Sequence, residues 1–262
     1  MRSRRYKGIE GEGSSYDLSI SDLMAALCCV FVIFTIGVTT SLKEKNMAAN
    51  QYNETKVYIY NEINDAMKDT FKECNATFER ETLTLKFSAA DAFKDDDSTL
   101  KEKFKTNLSK IFPKLIYLLY KSPKRDDIEE IRIEGFTASD SRLGKNEQGD
   151  DDYIAGIKLS QDRSKNVLIY CLGTNYLKDI PADEQDEYRE WVRTHISASG
   201  YSFSRAYWTY DSDGEIKRND YGVKEMDKAK TRRVEFRIRT NADKVIEKYT
   251  TINVEDLLDE GA

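Results

Sequence analysis

The sequence is poor in the residues that carry chemistry or stiffen linkers. Three prolines in 262 residues exclude a long Pro-rich spacer. There is one histidine, His195, and there are four cysteines, Cys28, Cys29, Cys74 and Cys171. These do not fall at the spacing of a His/Cys cluster, so no metal site is expected. His195 has no nucleophile motif to serve, and no Gly-rich loop would cradle phosphate. Neither an enzyme nor a resident cofactor is expected. Positive charge is not in surplus either: the formal net charge is -6 and the pI about 5.2. Direct nucleic-acid binding, which needs a basic face, is not expected. The tyrosines and phenylalanines follow helix and strand faces and read as core, not as a base-stacking platform.

Charge itself is missing from one place. Leu23 to Leu42 is a run of 20 residues without a charged side chain. A helix needs about 20 mostly apolar residues to cross a hydrocarbon core of ~30 Å. A signal peptide would have a shorter apolar region followed by a small-residue cleavage site, whereas Lys43-Glu44-Lys45 follows this run directly. An uncleaved transmembrane helix over 18–42 is therefore expected. Arg2, Arg4, Arg5 and Lys7 precede it, and the excess of basic residues places the tail 1–17 in the cytoplasm and the rest of the chain outside.

The span is entered through Tyr16-Asp17-Leu18-Ser19-Ile20-Ser21-Asp22. If the helix begins near Leu18, Asp22 lies about one turn, ~5 Å, inside it. An ionisable group there is costly unless it faces protein or a watery path. A carboxyl able to be neutral or charged as its surroundings change can carry a proton or cation. It can equally be a helix N-cap at the membrane surface, with Leu23 as the first helical residue. Spacing alone leaves both readings open. Asp17 reads as interfacial.

Beyond the span, residues 43–80 are polar, with Tyr52, Ile59, Ile63, Met67 and Phe71 spaced as on one helix face. This reads as a helical stalk or linker. Thr82 to Phe87 alternates as a strand. Leu100 to Tyr120 reads as a helix with Phe104, Leu108, Ile111, Leu115 and Leu119 as its buried stripe. Pro113 inside it predicts a kink or break, and Ser122-Pro123 an end. Ile131 to Thr137 reads as a strand. A helix follows from Leu159 to Leu172, with Ser160 as N-cap and Gly173 just past the end. Cys171 and Val167 fall on its buried side. Asp150-Asp151-Asp152 reads as a solvated loop. Asp183 to His195 reads as helical and Tyr201 to Tyr210 as strand-like. Asp211-Ser212-Asp213-Gly214 is a turn, not a calcium loop. Thr231 to Arg239 alternates, with Val234, Phe236 and Ile238 inward. The tail 241–262 is left unplaced. The fold class is α+β: a single N-terminal transmembrane helix, a stalk, and a domain with helices on one face of a mixed sheet over 81–240.

Two stretches carry a family resemblance. Ser21-Asp22-Leu23-Met24-Ala25-Ala26-Leu27 resembles the start of the transmembrane helix in MotB-type stator subunits, where the Asp carries the ion. Ile131-Arg132-Ile133-Glu134-Gly135-Phe136-Thr137, then Leu159-Ser160-Gln161-Asp162-Arg163-Ser164, then Arg232-Arg233-Val234-Glu235 resemble in this order an OmpA-like peptidoglycan-binding domain. The likeness covers roughly Thr82 to Thr240. Gly-Phe-Thr and Arg-Ser look most like the B subunit of Zorya anti-phage systems.

The resemblance implies that Asp22 translocates H+ or Na+ and that the outer domain is periplasmic, on a single-pass protein of the bacterial inner membrane. It implies a homodimer inside a ring of five multi-span A subunits, anchored to peptidoglycan. A motility stator B subunit is an alternative with the same channel chemistry. A passive wall anchor with Asp22 as a cap is a second. In the OmpA-like family, an Asp after the Gly-x-Thr turn and the Arg of Leu-Ser-x-x-Arg clamp a zwitterionic cell-wall side chain, a sound pairing for carboxylate and guanidinium. Thr137 and Arg163 match. Ala138 stands where the Asp is expected, and Asp140, two residues on, is the substitute. Ala155-Gly156 replaces the polar pair usually found before Leu-Ser. In a periplasm disulfides can form. Cys74 and Cys171 are open to a bridge with each other, to a Cys74–Cys74 bridge between subunits, or to remaining free.

Overall fold

The computed structural model describes residues 13–94, 97–138, 151–219, 222 and 224–241. It divides into two compact units, Met1–Asn50 and Gln51–Ala262. Helix α1, Gly13–Glu73, contributes to both. In the first unit it contains the apolar span Asp22–Lys43, with a mean hydropathy of 2.4. Three threonine hydroxyls within the span are satisfied by the helix itself. Thr35, Thr39 and Thr40 each donate their hydroxyl to the carbonyl four residues back, at 2.6, 2.7 and 2.9 Å.

In the second unit α1 turns one face inward. Ile59, Ile63, Met67 and Phe71 are all buried. The four-residue spacing seen in the sequence thus marks a core face, and the folded unit starts at Gln51 rather than at residue 81. A polar stalk running to residue 80 is corrected accordingly. The helix stops in a Schellman arrangement: Asn75 adopts φ 54°, Ala76 N–H donates to Phe71 O (2.9 Å), and Asn75 N–H donates to Lys72 O (3.2 Å).

Strands β1 (Thr77–Glu79) and β2 (Thr84–Ser88) form a hairpin, followed by the short helix α2 (Ala89–Ala92) and by α3 (Glu102–Lys121). The predicted stripe Phe104, Leu108, Ile111, Leu115 and Leu119 is buried. α3 continues through Pro113 without a break and ends before Ser122-Pro123. A 3-10 turn (Arg125–Asp127) leads into β3 (Ile128–Phe136), then α4 (Asp151–Leu172), α5 (Gln185–His195), β4 (Ile196–Gly200), α6 (Lys228–Thr231) and β5 (Arg233–Thr240).

The sheet order is β1-β2-β5-β3-β4, antiparallel except for the parallel β3–β4 pair, whose crossover carries α4 and α5. Alternation puts Leu85, Phe87, Ile131, Ile133, Val234, Phe236 and Ile238 into one core with α1, α3, α4 and α5. This is the expected α+β class. The other sheet face carries Lys86, Glu130, Arg132, Glu134, Glu235 and Arg237. Residues 201–210 are not a strand: they form turns with isolated bridges, Trp208 to Met226 and Tyr210 to Ile216. At the predicted turn, Asp211 Oδ1 accepts from Asp213 and Glu215 N–H at 3.0 Å, and Gly214 sits at φ 83°, where a side chain would be strained.

Candidate functional site

Asp22 is placed by α1. The helix starts at Gly13, nine residues before it, so Asp22 occupies the helix interior and its own N–H is within the ladder. The N-cap reading, and a helix beginning near Leu18, are both corrected. The carboxyl stands at the head of the apolar span, exposed on the helix surface. On a 3.6-residue helix it shares a face with Ala25, Ala26 and Cys29, while Met24, Leu27 and Phe31 lie opposite. A carboxyl beside small side chains leaves room for a close neighbour.

The second place is where β3 meets α4. Thr137 follows β3 and is buried; its N–H donates to Ser202 O (2.9 Å) and its hydroxyl donates to Gly156 O (3.4 Å). Gly156 explains itself. A Cβ there would lie 2.2 Å from Ser202 Oγ and 2.9 Å from Thr137 Oγ1. The missing side chain at Gly156 lets α4, Thr137 and Ser202 approach one another.

Leu159-Ser160-Gln161 clamps the helix to the sheet. Ser160 is not an N-cap, since α4 begins at Asp151, and Asp151-Asp152 belong to that helix, not to a loop. The Ser160 hydroxyl donates to Ile157 O (3.0 Å) and accepts from Ser202 N–H (3.0 Å). Gln161 satisfies the edge of β4: its Oε1 accepts from Gly200 N–H (2.8 Å) and its Nε2 donates to Ala198 O (3.4 Å). These bonds blunt an edge strand that would otherwise offer unpaired backbone groups.

Arg163, less than one turn past Ser160 on α4, is 6% exposed. Its Nε donates to Asp97 O (2.9 Å) and its guanidinium lies 4.9 Å from the Phe93 ring centre. It thus holds the segment after α2 against α4. Its neighbour Asp162 pairs with Lys165 at 2.6 Å rather than with Arg163. No contact among the described residues joins Arg163 to Thr137. Asp140, the expected carboxylate of the clamp, lies outside the described residues.

Cys74 and Cys171 are both free and both buried, so the bridge between them is not formed. Burial pushes the Cys171 thiol up, and burial does the same to Cys74. Among the described residues no group of His, Cys, Asp or Glu could hold a metal ion.

What sequence reasoning missed is the charge network on the helix-free face of the sheet. Glu134 and Glu235 are fully buried there. Arg205 reaches Glu134 at 3.0 Å and Arg233 reaches Glu235 at 2.5 Å, with Arg233 stacked 3.7 Å from the Phe136 ring centre. Arg132 pairs with Glu130, whose carboxyl burial alone would raise; hydrogen bonds from Arg132 and Ser197 outweigh that and leave it below the usual value. The alternating charges of β3 and β5 were the available signal.

No protein-family model matches the chain. Zorya protein ZorB of Escherichia coli, strain Crooks, is 33% identical over 236 residues, which is 88% of this chain and 90% of that protein. Similar solved structures include a putative MotB-like protein from Desulfovibrio vulgaris, at 18% identity, 72% of this chain, 96% of that chain and a TM-score of 0.43. The periplasmic domain of Helicobacter pylori MotB is at 16% identity, 66% of this chain, 82% of that chain and a TM-score of 0.36. The family assignment rests on the sequence relative alone.

Proposed function

We propose, from the premise that this chain belongs to the ZorB family, that it is the stator B-type subunit of an ion-driven motor in the bacterial inner membrane. The observation that carries the reading is the place of Asp22, inside a continuous helix at the head of the apolar span. A cap would sit at the helix start; this carboxyl is in the helix body. A carboxyl at the head of an apolar span is costly where it enters hydrocarbon unless it meets protein or a watery path.

In this reading the chain spans the membrane once, with residues 1–17 cytoplasmic and the domain periplasmic. Two copies stand within a ring of five multi-span A-type subunits. Asp22 takes up H+ or Na+ from the outer side, becomes neutral, passes along the A-subunit interface and releases the ion inward. The periplasmic domain holds the dimer against peptidoglycan, so that torque falls on the ring. Asp140, three residues after Thr137 in the sequence, is the carboxylate for a cell-wall ammonium, and Arg163 the guanidinium for its carboxylate. The motor serves anti-phage defence. The chain supplies a path, an anchor and no catalysis.

The test is co-expression with the neighbouring genes, comparing phage plating on wild type and Asp22→Asn at matched protein levels. Loss of protection in the variant is expected. Protection that survives the substitution refutes ion carriage by Asp22.

A further inference from the structure

A groove of the folded unit lies between the second half of α3 and the end of α4, with a volume of about 950 Å³. Pro113, Tyr117 and Ile169 form its apolar surface. Ile169 is 61% exposed and Tyr117 36% exposed. Lys110, Lys114 and Lys178 stand around it. Lys114 donates to Ala66 O of α1 and Lys110 pairs with Glu73 at 3.2 Å. Both ammonium groups keep further donors, and Asp179 is the acidic residue on the same rim. An apolar strip with a cationic border fits an acidic amphipathic segment.

The chain holds such a segment. β5 ends at Thr240, and Asn241 is tied down by its Nδ2, which donates to Asp126 O at 2.9 Å. The sequence then continues through Val254-Glu255-Asp256-Leu257-Leu258-Asp259-Glu260. Val254, Leu257 and Leu258 fall at the i, i+3, i+4 spacing of one helical face, bordered by four acids. The reach suffices. Asp126 comes nine residues after Tyr117, the first four of them within α3, so the two lie at most ~24 Å apart. The thirteen residues from Asn241 to Val254 can span up to ~45 Å.

We propose that the α3–α4 groove is the docking site of the chain's own acidic segment Val254–Glu260. The apolar side chains cover Tyr117 and Ile169, and the acids meet Lys110, Lys114 and Lys178. The proposal stands independently of the ion path through Asp22.

The test uses the full-length protein in membranes, with a photo-crosslinking benzoylphenylalanine at Ile169. Peptide mass spectrometry is expected to find the adduct between 250 and 262 of the same chain, and co-expressed isotope-labelled copies identify the chain of origin. Lys110→Glu combined with Lys178→Glu is expected to lower the yield roughly fivefold, the loss of two surface ion pairs. Leu257→Asp with Leu258→Asp is expected to abolish the adduct and speed hydrogen exchange at the exposed edge of α3. An adduct to another copy's tail, an adduct to a different protein, or an adduct indifferent to both variants would overturn the proposal.

Discussion

Glu134 and Glu235 stand directly opposite each other across the β3–β5 pair, with side chains 0% and 1% exposed. Like charges in that position repel. Five cations surround them: Arg132, Arg205 and Arg237 around Glu134, and Arg233, Arg237 and Lys86 around Glu235. The arginine-rich β5 is the counter-charge that lets two carboxylates share the centre of a sheet.

The cations are not equal, and burial ranks them. Arg233 is 8% exposed and lies between the Phe136 and Tyr207 rings, at 3.7 and 4.7 Å. Arg233→Ala leaves a buried carboxylate without its nearest partner, and the expected loss is about 3–5 kcal/mol. Arg205 is 45% exposed, and Arg205→Ala is expected to cost about 1 kcal/mol or less. Urea unfolding of the purified protein measures both. Equal losses would show that the network does not act through burial.

Acid should weaken the same face. The folded-state carboxyl of Glu130 lies below its ordinary value, through Arg132 and Ser197 against the opposing effect of burial. Its contribution is therefore fully present above the unfolded carboxylate value of about 4.3 and is lost as pH falls through the depressed folded value. The melting temperature of wild type is expected to drop more steeply below about pH 4.3 than that of Glu130→Gln. Parallel curves would remove Glu130 from the acid response.

Two glycines separate rigid from yielding contacts. At Gly200 an added Cβ meets the backbone nitrogen of Gln161 at 2.3 Å. At Gly156 it meets the Ser202 hydroxyl at 2.2 Å, the end of a side chain that can turn. Gly200→Ala is expected to cost about 1–3 kcal/mol by forcing α4 off β4, and Gly156→Ala less. Pairing Gly156→Ala with Ser202→Ala should recover most of its loss. Thermal melts of the three variants decide it.

Periodicity made most of the fold legible. The stripe from Phe104 to Leu119 and the alternation of Val234, Phe236 and Ile238 gave α3 and β5 because each element turns one apolar face to a single core. At residues 59–71 the same signal gives the helix and its inward face but not its partner, since periodicity reports a buried face without saying what buries it. β4 escaped because Ile196-Ser197-Ala198-Ser199-Gly200 is short and small, and its stability comes from β3 and Gln161 rather than from its own propensity. Asp22 was legible as a residue, but only the helix start at Gly13 separated a cap from a helix-interior carboxyl. Glu134 and Glu235 looked like surface positions because alternation marks the helix-free face as polar without showing what covers it.

Arg163 and Asp140 divide the cell-wall reading into two measurable parts. Arg163 is held by Asp97 O and the Phe93 ring, so removing it disturbs the packing of α4 on the segment after α2. Arg163→Ala is therefore expected to lower stability by about 1–3 kcal/mol, the cost of a lost hydrogen bond to a charged group. Its effect on binding to purified sacculi is inseparable from that loss. Asp140→Ala is the cleaner probe: it is expected to leave the melting temperature unchanged and to weaken sacculus binding about tenfold, the worth of one charge-assisted bond. Arg163→Lys keeps a cation but not the bidentate fork, and it should weaken sacculus binding even where stability is retained. Unaltered binding in both Asp140→Ala and Arg163→Lys would assign Arg163 to the packing of α4 alone and move the wall contact elsewhere on the domain.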